Sequence, residues 1–83
     1  MFFVYIIHSG AYNKYYIGQT NDFESRLKRH NDGYEGYTRS YRPWKRMLVI
    51  EKPSRSEAME LEKKLKNLSK ERLVKFIEKY NGC

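Results

Sequence analysis

Cysteine is nearly absent from this chain: one residue, Cys83, stands at its C-terminal end. That excludes an internal disulfide framework and any cysteine-built zinc cluster, and a lone frayed thiol suits a reducing cytoplasm. The two histidines, His8 and His30, have no third ligand in pattern with them, so a histidine zinc site is not expected. Long apolar runs are missing too. No stretch approaches the roughly 18 apolar residues of a membrane span, and Phe2–Ile7 is too short for a signal peptide and follows no basic segment. No glycine-rich loop leads into a helix, which removes the usual nucleotide cradle. Acidic residues are outnumbered, ten against seventeen Lys and Arg, leaving a formal charge of +7. The excess is uneven: residues 1–22 sum to zero, 23–46 to +4, 47–61 to −1 and 62–83 to +4. Two basic stretches of this kind favour a polyanionic partner, nucleic acid or an anionic surface.

What is abundant is aromatic. Aromatic residues make up 16% of the 83, eight of them Tyr, and hydrophobic residues 40%, too many for a disordered chain. At this length one modest core is expected, hence a single domain over 1–83.

The run Phe2-Phe-Val-Tyr-Ile-Ile-His8 is β-branched and aromatic on both faces, as in a central strand covered on two sides. Turn residues Ser9–Asn13 separate it from Tyr15-Tyr-Ile-Gly-Gln-Thr20, and the two predict a hairpin. A turn centred on Gly10–Ala11 would set Tyr5 directly opposite Tyr16, with Tyr15 on the other face. Asn21 or Asp22 can cap a helix to about His30 with Phe23, Leu27 and His30 on its buried stripe. A glycine-punctuated basic loop spans 32–43. A third strand fits Lys45–Glu51, with Met47 to Ile50 as its apolar content. Ser54-Arg-Ser-Glu57 reads as a capping box opening a helix with stripe Ala58, Leu61, Leu65 and Leu68. Ser69 begins a last helix with stripe Leu73, Phe76, Ile77 and Tyr80, ended by Gly82. The expected class is α+β: a small three-stranded antiparallel sheet flanked by helices, in the order ββαβαα.

Phe3-Val-Tyr5, eleven residues ahead of Tyr16-Ile-Gly18, resembles the paired strand motifs of the GIY-YIG nuclease family. Thr20-Asn-Asp22, Glu24-Ser-Arg26-Leu-Lys-Arg-His30, Tyr37-Thr-Arg39, Arg42-Pro-Trp44, Pro53-Ser-Arg-Ser-Glu-Ala58 and Leu61-Glu-Lys-Lys-Leu-Lys66 follow in family order. The likeness covers residues 2 to about 75 and is greatest to small stand-alone members. Phe3 stands where the first name-giving glycine would fall; the second motif is intact.

Phosphodiester hydrolysis needs an activated water, neutralised phosphate charge and help for the leaving oxygen. Arg26 and His30 lie at or beside the buried stripe of the first helix, where both can project over the tyrosine face. The fork of Arg26 matches phosphate oxygens bidentately. Tyr5 and Tyr16 are candidates to position or deprotonate water, though a phenol of pKa about 10 needs nearby cations to act as a base. The residues leave open whether Tyr5, Tyr16 or His30 accepts the proton. Gly18 offers close backbone approach to a phosphate, or only a strand bend.

The resemblance implies further that Glu62, in an Ala-x-x-x-Glu frame from Ala58, is the metal-binding carboxylate. A single one is chemically sufficient for Mg²⁺ or Mn²⁺; without the family pattern Glu62 would read as an exposed ion pair with Lys66. Arg39, Arg42 and Lys45, interleaved with Tyr34, Tyr37, Tyr41 and Trp44, form the expected substrate surface together with Gly18, Thr20 and Lys66. Trp44 reads as more core than platform.

The implied activity is a divalent-metal-dependent DNA endonuclease with a single-metal site, structure-directed and serving DNA repair or recombination in the cytoplasm. Its specificity would come from self-association or a protein partner. The alternative is a non-catalytic module binding DNA or structured RNA on the same fold. A membrane-surface role is disfavoured by the lack of a basic amphipathic helix at a terminus. Tyr5, Tyr16, Arg26, His30 and Glu62 are expected to converge on one concave basic surface.

Overall fold

The computed structural model describes residues 1–81; Gly82 and Cys83, and with them the expected helix stop and the terminal thiol, lie outside the described residues. Seven elements follow in order: β1 (Phe2–Ser9), β2 (Lys14–Thr20), α1 (Phe23–Asp32), α2 (Gly36–Arg39), β3 (Lys45–Lys52), α3 (Arg55–Lys66) and α4 (Lys70–Tyr80). The strands form one antiparallel sheet, β2-β1-β3. The expected ββαβαα order therefore holds, with the single-turn α2 added inside the loop. No helix among the described residues is long and apolar enough to cross a membrane.

Central β1 is apolar on both faces because both are covered. Val4 and Ile6, with Ile17, Leu48 and Ile50, pack under Ala58 and Leu65 of α3 and Leu73 and Ile77 of α4. Tyr5 and Ile7 point the other way, against Phe23 of α1 and Trp44 of the segment leading into β3. The sheet thus has a helix-pair face built for stability and an aromatic face.

The hairpin register differs from expectation. Tyr5 lies opposite Gly18, and Tyr16 opposite Ile7. The loop is the four residues 10–13, closed by Asn13 in the left-handed region (φ 51°), so its centre falls one residue later than Gly10–Ala11. That moves the pairing by two positions. Two is a full pleat period, so both tyrosines stay on one face. Tyr15 faces the other side, as expected.

A bulge between Ile6 and Ile7 moves the β1–β3 register, pairing Ile6 with Leu48 but Ile7 with Arg46. Arg46 is thereby delivered to the aromatic face, its guanidinium 5.9 Å from the Phe23 ring centre.

All three long helices start at the residues expected. Asp22, Ser54 and Ser69 each accept a backbone N–H three residues on. At Ser54 the capping box is altered: the Glu57 carboxylate accepts from the Ser54 hydroxyl at 3.2 Å. Two stripe residues fall differently. Helix α3 ends at Lys66, so Leu68 packs on the core from the turn beyond it. Tyr80 is 53% exposed, because the core is already filled by Leu73 and Ile77.

Candidate nuclease site

The aromatic face carries a buried polar chain. Tyr5 and His30 are both fully buried, and the Tyr5 hydroxyl lies 2.9 Å from His30 Nε2. On the far side of the imidazole, Nδ1 is 2.7 Å from the hydroxyl of Thr38, also buried. Arg26 lies near enough to Tyr5 for its positive charge to favour the phenolate. A neutral imidazole donates from one ring nitrogen and accepts at the other, so the two hydroxyls satisfy His30 on both sides.

Burial drives both ionisations the same way, towards the neutral form. It pushes the Tyr5 phenol well above its ordinary value, with Tyr16 adding to the shift and Arg26 opposing it. It lowers the His30 pKa, against the pull of Glu35 and with the help of Arg26 and Arg29. A pH dependence of stability follows. Because folded His30 titrates below its ordinary 6.5, the unfolded chain takes up the proton first as pH falls. This contribution is complete above about pH 6.5 and is lost with acidification below it. Tyr5 gives the mirror case: above its ordinary 10.0 the unfolded chain loses the proton first, and stability falls as pH rises. Urea midpoints should climb between about pH 5 and 6.5 and then level off, with the His30 nitrogen shifts at pH 6 those of a neutral ring. A flat midpoint with a doubly protonated His30 ring would sink this assignment.

Gly18 has a role the sequence did not disclose. It sits across the strand pair from Tyr5, and a Cβ there would lie 2.5 Å from the Tyr5 hydroxyl and 2.7 Å from Cζ. The ring covers the glycine and cannot move aside, being buried and tied to His30. Gly18→Ala should cost about 1–3 kcal/mol through overpacking. Equilibrium urea unfolding checks this, and an unchanged midpoint would mean the ring does not occupy that space.

Tyr16 is the more accessible phenol. It is half-buried, with its ring 6.4 Å from Tyr5, 5.1 Å from His30 and 6.3 Å from Trp44. Arg26, with its side chain 36% exposed, has Nη1 4.0 Å from the Glu35 carboxylate. Arg29 approaches the same carboxylate at 3.8 Å. Four expected residues thus come together: Tyr5, Tyr16, Arg26 and His30.

Glu62 stands elsewhere. It is on α3, which covers the opposite face, and its carboxylate accepts from the Gln19 side chain at 3.0 Å while Lys66 Nζ lies 2.9 Å away. Gln19 is on β2, the edge strand, so Glu62 sits at the rim of the sheet with no further strand beyond. Tyr16 and Lys66 line the same groove along that rim. As a ligand for a hard divalent cation the carboxylate fits: each oxygen has one partner and a lone pair to spare, and Lys66 is half-exposed and displaceable.

The other expected substrate residues are spread round this rim and the loop. The Thr20 hydroxyl is buried and accepts from the Asp22 N–H at 3.1 Å, ordering the turn into α1. Arg39, Arg42 and Lys45 are exposed. The Arg42 guanidinium lies close against Gly33, the left-handed C-cap of α1 (φ 86°), where the last carbonyls of the helix collect negative charge. Trp44 is core, 3% exposed, its Nε1 donating to the Thr38 carbonyl at 2.9 Å.

Three supporting residues escaped sequence reasoning: Thr38, Glu35 and Asn31. The Asn31 amide accepts from the Trp44 N–H (2.6 Å) and donates to the Trp44 carbonyl (3.1 Å), fastening the loop to α1. Only the buried character of His30 hinted that such partners must exist, since a buried imidazole needs two.

With this geometry in view, likenesses to known proteins agree. The model of the GIY-YIG catalytic domain matches residues 1–81. A UPF0213 protein of Bacillus velezensis is 37% identical over 67 residues, covering 80% of this chain and 68% of that protein. UPF0213 protein YazA of Bacillus subtilis is 36% identical with the same shares covered. The solution NMR structure of a UPF0213 protein from Bacillus halodurans, 31% identical, is similar with a TM-score of 0.64 over 99% of this chain and 88% of that one. The Tyr5–Gly18 strand pair, its helix-borne Arg26 and His30, and these likenesses place the chain in the GIY-YIG catalytic-domain family, among its small UPF0213 members.

Proposed function

We propose that the chain is a divalent-metal-dependent DNA endonuclease that hydrolyses phosphodiester bonds in a single-metal site and recognises DNA structure, in the service of repair or recombination in the cytoplasm. The observation that carries this reading is the convergence of Tyr16 and Arg26 over the Tyr5–His30 pair at the sheet edge that Glu62 flanks.

Each residue has a task its surroundings suit. Arg26 is exposed enough to meet a phosphate, and its weak contact with Glu35 is readily exchanged for one. Tyr16 is the phenol that solvent reaches, so it holds the attacking water in line. Tyr5, fully buried and with ionisation suppressed, acts through its hydrogen bond to His30, keeping the imidazole neutral and oriented beside Tyr16. Glu62, held by Gln19, would bind Mg²⁺ or Mn²⁺, and that cation would neutralise charge on the scissile phosphate. Arg39, Arg42 and Lys45 would contact flanking phosphates. With so little surface, target choice would come from DNA shape, self-association or a partner.

One contact favours a second reading, a nucleic-acid-binding domain without cleavage: Lys66 already neutralises Glu62. The test is Mg²⁺-dependent cleavage of labelled single-stranded, duplex, flap and branched DNA, with EDTA as control. Cleavage that needs Mg²⁺ is the expected result. Binding with no cleavage of any substrate would establish the second reading.

A further inference from the structure

A row of rings runs from the hairpin tip to the catalytic face. Tyr12 meets Tyr41 edge-on at 5.2 Å, Tyr41 lies 5.3 Å from Tyr37, and Tyr37 stacks on Tyr16 at 6.1 Å. Tyr16 is in turn 5.1 Å from His30. Tyr12 and Tyr37 are each 55% exposed, more than core packing requires. Beside the row opens a groove of roughly 600 Å³, bounded by Tyr12, Tyr37 and Tyr16 and by Lys14, Lys66 and Lys70. None of the described residues lining it is acidic. Two of its lysines lie over rings: the Lys14 ammonium is 5.0 Å from the centre of the neighbouring Tyr41 ring, and that of Lys70 is 5.9 Å from Tyr15.

The geometry points to a track for an unpaired polynucleotide strand, running along the edge of β2 and delivering its backbone to Tyr16. Exposed ring faces reward bases free of a partner, because paired bases keep their own faces stacked inside the duplex. The lysines meet phosphates whatever the sequence. A duplex could use the lysines but not the rings. An acidic peptide would also use the lysines alone. What happens at the end of the track rests on the nuclease reading; binding along it rests on the rings and cations only.

Binding can be separated from chemistry by working in EDTA. Fluorescence anisotropy would compare oligomers of about 12 nucleotides, oligo-deoxythymidine and oligo-uridine, with a duplex of equal length. The unpaired strands should bind at least about tenfold more tightly than the duplex. Tyr12→Ala and Tyr37→Ala should each weaken unpaired-strand binding about fivefold or more and leave duplex binding unaltered, with melting curves showing both variants folded. Lys14→Ala should flatten the plot of log affinity against log salt by about 0.7. Equal affinity for the duplex, or tyrosine variants that bind unpaired strands like the wild type, would overturn the track. Adding Mg²⁺ to the same samples distinguishes the two readings. Duplex cleavage without preference for unpaired strands sinks the track and keeps the nuclease. Tyrosine-dependent strand binding with no cleavage anywhere sinks the nuclease and keeps the track.

Discussion

Arg26→Ala should cut Mg²⁺-dependent cleavage about 10²–10³-fold, the usual loss when a preorganised donor to developing charge is removed. Folding should be nearly untouched. The Arg26 side chain is 36% exposed and its ion pair with Glu35 is long, at 4.0 Å, so the pair contributes little to stability. The same substitution takes a cation away from the Tyr5 hydroxyl, leaving burial and Tyr16 to hold the phenol proton still more firmly. Arg26→Lys keeps the charge but not the planar fork, and should recover only part of the rate. Single-turnover rates with saturating enzyme separate this from weakened binding. Cleavage by Arg26→Ala within threefold of wild type would remove Arg26 from the chemistry.

The largest expected loss of stability is at Trp44. Trp44→Ala should cost about 3–5 kcal/mol, the range for emptying a buried aromatic site. Against a typical total of about 5–15 kcal/mol, that brings the chain close to unfolding. The side chain fills the space between Ile7, Phe23 and Tyr16, and its indole N–H satisfies the Thr38 carbonyl. Trp44→Phe retains most of the volume but leaves that carbonyl unpaired, and should cost about 1–3 kcal/mol. Urea unfolding followed by far-UV circular dichroism measures both. A midpoint for Trp44→Ala close to wild type would mean that Trp44 is not a core residue.

The helices and strands were legible because their signals are local. Asp22, Ser54 and Ser69 announce helix starts by side-chain chemistry alone, and β1 announces two covered faces by its unbroken apolar run. The same-face placement of Tyr5 and Tyr16 survived a wrong turn centre only because the error was an even number of residues. Where tertiary contacts decide, the sequence was mute. Residues 33–44 have no periodicity of their own; they are shaped by His30 holding Thr38 and Asn31 holding Trp44. For Glu62, nothing local in the sequence says which face of the sheet α3 covers. The helix packs on the face opposite Tyr5, and Glu62 reaches the β2 rim, where its carboxylate accepts from Gln19.

The strand order also carries a kinetic meaning. β1 pairs with β2 across a four-residue loop, but with β3 only after the intervening α1 and α2 have been accommodated. Closing a short loop loses little chain entropy, whereas joining β3 to β1 must wait for a far longer segment to be gathered in. Tyr5, Gly18 and Tyr16 all belong to the short hairpin. Their mutual placement is therefore expected to form early, with His30 and Arg26 docking onto a tyrosine scaffold already in register, and Gly18→Ala should slow refolding more than it speeds unfolding.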